Sequence, residues 1–140
     1  MTNKAPRIAL VLGWGGLIPF VGSVLIFAIG EPMAKIYALS LGTIYGGLIV
    51  CFIGAVHWGR ALREHHPWLM IWSVIPALMM VPVLWIAPPF RPPLLIIALI
   101  ILWAVDLMAT RKGLLPQWYM RLRHGLTAVA SLSLLTLILA

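Results

Sequence analysis

Five apolar runs, each close to the roughly 20 residues a helix needs to cross the hydrocarbon of a bilayer, take up almost the whole chain. They cover about residues 8–29, 36–62, 68–86, 93–110 and 118–139. Every break between them contains proline: Gly30-Glu31-Pro32, Glu64-His65-His66-Pro67, Ala87-Pro88-Pro89-Phe90-Arg91-Pro92 and Arg111-Lys112-Gly113-Leu114-Leu115-Pro116. Proline cannot continue a helix but can begin one, so these breaks read as stops and restarts. None is long enough to hold a soluble domain. Inside a bilayer every backbone polar group must be satisfied within the chain, which leaves helices as the element that fits runs of this length. The expected fold is an all-α integral membrane protein. It is a single domain over residues 1–140, built as a bundle of five transmembrane helices.

Charge supports the same count. Only 9% of residues are charged, against about a quarter in a soluble domain. With five crossings, one side of the membrane collects Lys4, Arg7, Arg60, Arg63, Arg111, Lys112, Arg121 and Arg123, and the other only Lys35 and Arg91. The positive-inside bias then places the N-terminus in the cytoplasm and the C-terminus in the periplasm. A net charge of +7 does not point to nucleic acid, because the basic residues sit at the ends of apolar runs, where they anchor topology and meet lipid headgroups. The single cysteine, Cys51, lies inside an apolar run, so there is no disulfide framework. Met1 to Arg7 followed by an apolar run reads as an uncleaved signal anchor. No Arg- and Ser-rich transit peptide precedes it, so a bacterial inner membrane is the expected location.

The helices differ in character. Gly13, Gly15, Gly16 and Pro19 make the first thin and bent. In the second, Gly47, Cys51, Ala55 and Gly59 recur every four residues beside a Gly42-x-x-x-Gly46 pair, a pattern that lets helices approach closely. The second helix is therefore expected at the bundle centre, with Ala55→Leu overpacking a helix interface. Pro76 and Pro82 should kink the third. Gly113 and Pro116 should fold the fourth and fifth into a tight antiparallel hairpin.

Asp106 is the most informative polar residue. A carboxylate within an apolar run is costly, and the negative end of the helix dipole makes its site worse. It needs a cation, and Arg121 or Arg123, across the hairpin, are the obvious partners. His57 lies at a comparable depth on the second helix, and it is expected within about 8 Å of the pair, one helix–helix spacing. Arg91, on the opposite side, is expected to matter little for stability. Trp14, Trp58, Trp68, Trp72 and Trp118 fall near one interface and Trp85 near the other, as in an aromatic belt. Trp103, one turn from Asp106, is the tryptophan placed to join an internal site. His57, Trp58, Trp103, Asp106, Arg121 and Arg123 thus form the candidate polar cluster, either a ligand or proton site or a staple between helices. There is no nucleophile–base pair and no metal-ligand spacing, so no catalytic residue, metal or cofactor is indicated and the reading leans away from an enzyme.

The stretch Cys51-Phe52-Ile53-Gly54-Ala55-Val56-His57-Trp58-Gly59, then Asp106, then Leu115-Pro116-Gln117-Trp118-Tyr119-Met120-Arg121-Leu122-Arg123 with Leu126-Thr127, resembles the transmembrane-protein-69-like family. The resemblance implies a multi-span membrane protein of bacteria or mitochondria and brings no reaction, substrate or cofactor. Two functions fit: a non-enzymatic bundle whose cytoplasmic-leaflet cluster binds an anionic or amphipathic small molecule, such as a lipid or quinone, or couples to protons; and an accessory or assembly subunit of a larger membrane complex. The expected partners are the lipid bilayer, such a small molecule, and other membrane proteins or further copies of the chain, with no nucleic acid.

Overall fold

The computed structural model describes residues 4–139, and the Met1–Asn3 part of the expected signal anchor lies outside them. The helices are α1 (Arg7–Gly15), α2 (Ile18–Ile29), α3 (Pro32–Glu64), α4 (Pro67–Trp85), α5 (Arg91–Arg111) and α6 (Gln117–Leu139), with a 3-10 turn at Pro88–Phe90 before α5. α1 and α2 together form one span, so five helical spans are long and apolar enough to cross a membrane. Many large apolar side chains face outward, among them Leu48, Phe52, Ile71, Leu78 and Leu132, each 60–67% exposed. A surface like this is an aggregation hazard in water and an ordinary contact in lipid.

The first span is broken rather than gently bent. Pro19 has no amide hydrogen and its ring crowds the carbonyl four residues back, at Gly15, where α1 ends. The Tyr45 hydroxyl of α3 donates to the Gly16 carbonyl at 2.7 Å, satisfying one backbone group at the break.

α3 is longer than the sequence suggested, because Pro32 occupies its first turn and an Arg60–Glu64 pair at 3.2 Å extends its last. It is the central element, packing against α2, α4, α5 and α6. The expected stripe of Gly47, Cys51, Ala55 and Gly59 is corrected. Gly47 is buried, but Ala55 and Gly59 are exposed, and a Cβ at Gly59 would meet nothing within 4 Å. A step of four residues advances 400° on an α-helix, so three such steps drift about 120° off a face. The buried line alternates threes and fours instead, through Thr43, Gly46, Val50, Ile53 and His57. At Gly54 the Pro76 ring of α4 comes so close that a Cβ would lie 2.8 Å from its Cγ.

The α5–α6 hairpin forms as expected. Gly113 takes φ +77°, the Leu114 amide donates to the Ala109 carbonyl at 2.9 Å and the Gly113 amide to Thr110 at 3.0 Å. This is the Schellman pattern that closes a helix C-terminus on a left-handed glycine. Arg91 corrects a second expectation. Its Nε and Nη2 donate to the Ile86 and Leu84 carbonyls, each at 2.8 Å, and so cap the end of α4. The core lies between the spans, around Phe20, Val50, Ile53, Leu95, Leu99 and Leu134.

Candidate functional site

His57, Asp106 and Arg123 stand five to seven residues from the helix ends at Glu64, Arg111 and Gln117. At 1.5 Å per residue that is about 8–10 Å from the end of the bundle carrying the basic loops, so three helices bring the three side chains to one level. Their contacts are direct. The Arg123 Nε donates to Asp106 Oδ2 at 2.8 Å, and the His57 Nε2 lies 2.7 Å from Asp106 Oδ1. A carboxylate only accepts, so the His57 Nε2 carries the hydrogen of that bond. His57 and Asp106 are fully buried and Arg123 is 4% exposed. Asp106 therefore pins α5 to α3 and to α6 at once.

The α6 residues around Arg123 extend the cluster. Tyr119, one turn before it, places its phenol near the Asp106–Arg123 pair. Thr127, one turn after it, accepts from the Arg123 Nη1 at 2.8 Å. On α5 the Thr110 hydroxyl donates to the Asp106 carbonyl at 2.8 Å. Within the cluster, two buried nitrogens have no hydrogen-bond partner among the described residues: the Arg123 Nη2 and the His57 Nδ1. A buried polar atom left unpaired is costly, so these atoms are where the cluster has capacity beyond holding the fold.

A cavity of about 350 Å³ lies against this cluster, between α1, α2, α3, α5 and α6. Its wall is apolar, with Leu17, Phe20, Ile53 and Leu99 at its depth, except along α6. There Tyr119, Arg123 and Thr127, spaced four apart, present one polar stripe, with the Trp118 indole beside it. Asp106 and His57 are not in the wall, so the order from the cavity inward is Arg123, then Asp106, then His57. α1 packs on α6 rather than on α3. Leu12 of α1 and Phe52 of α3, each 67% exposed, both line the cavity, which marks the gap between these helices as its mouth.

Of the six candidate residues, the structure brings His57, Asp106 and Arg123 together. Arg121 is exposed. Trp58 is 46% exposed and faces outward, as a belt residue would. Trp103 is half-buried, and its indole donates to the His124 Nδ1 at 2.9 Å, outside the cavity wall. Asp106 and Trp103 are three residues apart, which turns them about 60° from each other around α5. Tyr119 was not singled out as a site residue, although its place four residues before Arg123 was the available signal. No group of histidine, cysteine and acidic side chains that could hold a metal occurs among the described residues.

The family described as "Protein of unknown function (DUF3429)" matches residues 5–139. Transmembrane protein 69 of Xenopus tropicalis is 33% identical over 141 aligned residues, covering 94% of this chain and 54% of that protein. The chain thus spans about half the length of this curated relative. No solved structure matches.

Proposed function

This chain belongs to the DUF3429 family of transmembrane-protein-69-like membrane proteins, and we propose that it serves there as a non-enzymatic binding protein for an amphipathic small molecule held in the cavity beside Arg123. The observation that carries this reading is the Arg123 side chain itself. It is buried, stands at the centre of the polar stripe in an otherwise apolar wall, and keeps Nη2 without a protein partner. Binding sites for small molecules are typically apolar hollows of about 300–1,000 Å³ with a few placed polar groups, and this one falls within that range. The test is purification in a mild detergent followed by mass spectrometry of what remains bound. An amphipathic molecule should co-purify with the wild type and be lost from Leu126→Trp, which fills the cavity from α6 without touching the ion pair.

A second reading, an accessory subunit of a larger membrane complex, is favoured by Ala55 and Gly59. They leave a flat, exposed strip of small residues on α3, of the kind neighbouring transmembrane helices use to approach closely. Stoichiometric protein partners in the same purification, without a bound small molecule, would favour it. The proposed setting is a bacterial inner membrane with the N-terminus cytoplasmic and the C-terminus periplasmic, from the eight-to-two bias in basic residues. Reporter fusions after Lys112 should read cytoplasm and fusions after Leu139 periplasm. Both on one side would overturn the orientation.

A further inference from the structure

Resting on the binding reading above, we infer that the ligand is an electrically neutral amphiphile presenting a carbonyl oxygen, drawn from the bilayer through the gap between α1 and α3, and not an anion. The argument is a charge count at the cavity wall. Arg123 brings one positive charge and Asp106 one negative charge, in contact at 2.8 Å, so the guanidinium of this wall residue is already neutralised by its own carboxylate. A second anion in the cavity would leave the pair and the ligand with an excess negative charge in a medium that solvates charge poorly, a strongly unfavourable arrangement. His57 stands behind Asp106, outside the wall. Around this point stand Tyr119 and Thr127 from α6, Thr110 and Asp106 from α5, and His57 from α3.

What Arg123 has left to offer is hydrogen-bond donation. Its Nε is held by Asp106 and its Nη1 by Thr127, and Nη2 still carries two N–H groups. The matching ligand atom is an acceptor without a full charge, such as the carbonyl of a quinone ring or of an acyl ester. The wall dictates the remainder of the molecule. Apart from the α6 stripe it is lined by Leu, Ile, Val, Phe, Ala and Gly, which fits an alkyl or isoprenoid chain or a flat ring. The mouth between Leu12 and Phe52 lies among outward-facing apolar side chains, so a chain longer than the cavity can trail into lipid.

Three probes of similar size decide the matter, titrated against the detergent-purified protein by native mass spectrometry at pH 7.5: a short-chain isoprenoid benzoquinone, monoolein and oleate. The expected result is that at least one neutral probe binds tenfold or more tighter than oleate, and which of the two binds identifies the source of the carbonyl. Arg123→Lys keeps a cation opposite Asp106 but removes the spare N–H pair, and it should weaken the neutral probe by at least tenfold. Leu126→Trp, with its folding checked by its thermal unfolding midpoint, should weaken every probe that uses the cavity. Oleate binding as tightly as the neutral probes, or tighter, with loss in Leu126→Trp, would overturn the neutral ligand while leaving a binding cavity in place. Binding of all three probes unchanged by Leu126→Trp, or of none, would overturn the cavity reading and this inference with it.

Discussion

The two flanks of α3 are built on opposite plans. Toward α4 the seam is shut: Gly54 receives the Pro76 ring, and Arg91 closes the far end of α4 through two backbone carbonyls. Toward α1 and α6 the helices stand apart around a hollow of about 350 Å³, bordered by a buried arginine with a nitrogen to spare. Arg91 and Arg123 make the contrast concrete. One completes backbone that a helix end left unpaired, and the other pairs with a carboxylate and still faces a cavity. Tight packing against α4 holds α3 in place, and this lets its other flank carry a space that packing alone would tend to close.

The largest effect should come from removing the charge that anchors the open flank. Asp106→Asn leaves Arg123 buried without its counter-ion and His57 without its carboxylate. Losing one partner of a buried pair typically costs about 3–5 kcal/mol. Thermal unfolding in detergent should show a large fall in midpoint. A change of under about 1 kcal/mol would mean that the site is wet and that the contrast between the flanks is overdrawn, since exposed pairs contribute about that little.

Much of this architecture was readable in the sequence, for identifiable reasons. Span number followed from run length and proline breaks, and the α5–α6 hairpin from Gly113 and Pro116. That Asp106 would meet Arg121 or Arg123 followed from the cost of a carboxylate in an apolar run, and the structure selects Arg123. What was not readable depended on rotation about helix axes. Counting α3 in fours placed Ala55 and Gly59 inside, when their true azimuth turns them out. The same kind of error put Trp103 in the cluster, although its position on α5 directs it to His124. The cavity itself had no sequence signal, because it arises from the spacing of α1 and α3. The capping role of Arg91 was hidden because it depends on where α4 ends, and two prolines follow soon after.

The closed flank yields the next two effects. Gly54→Ala would place a methyl group 2.8 Å from the Pro76 Cγ and 3.0 Å from the Ser73 carbonyl oxygen, neither of which can swing aside. Overpacking of this kind costs about 1–3 kcal/mol, and the same assay should report it. Arg91→Gln removes the charged donor from the Ile86 and Leu84 carbonyls. Hydrogen bonds to charged groups contribute about 1.5–3 kcal/mol each when buried. This pair lies at a partly exposed edge, so a loss nearer 1 kcal/mol is expected. An unchanged midpoint would show that water serves the end of α4 as well as the arginine does.

The smallest effect is also the sharpest test of how α3 is turned. Ala55 sits one residue after Gly54, so the two differ by about 100° in azimuth although they are neighbours in the chain. If α3 is rotated as described, Gly54 meets α4 while Ala55 meets only lipid. Ala55→Leu should then shift the unfolding midpoint by no more than about 0.5 kcal/mol, the usual range for surface substitutions. The comparison with Gly54→Ala carries the weight, since a far smaller added side chain at the adjacent position should do several times more damage. Were Ala55→Leu the costlier of the two, the buried line of α3 would have to run through Ala55. The Gly54–Pro76 contact would then be lost, and the closed flank with it. If Ala55→Leu leaves stability untouched but strips a co-purifying protein, the strip of Ala55 and Gly59 is where that partner docks. The lipid-facing surface of α3 would then be the flank that acts in the accessory-subunit reading.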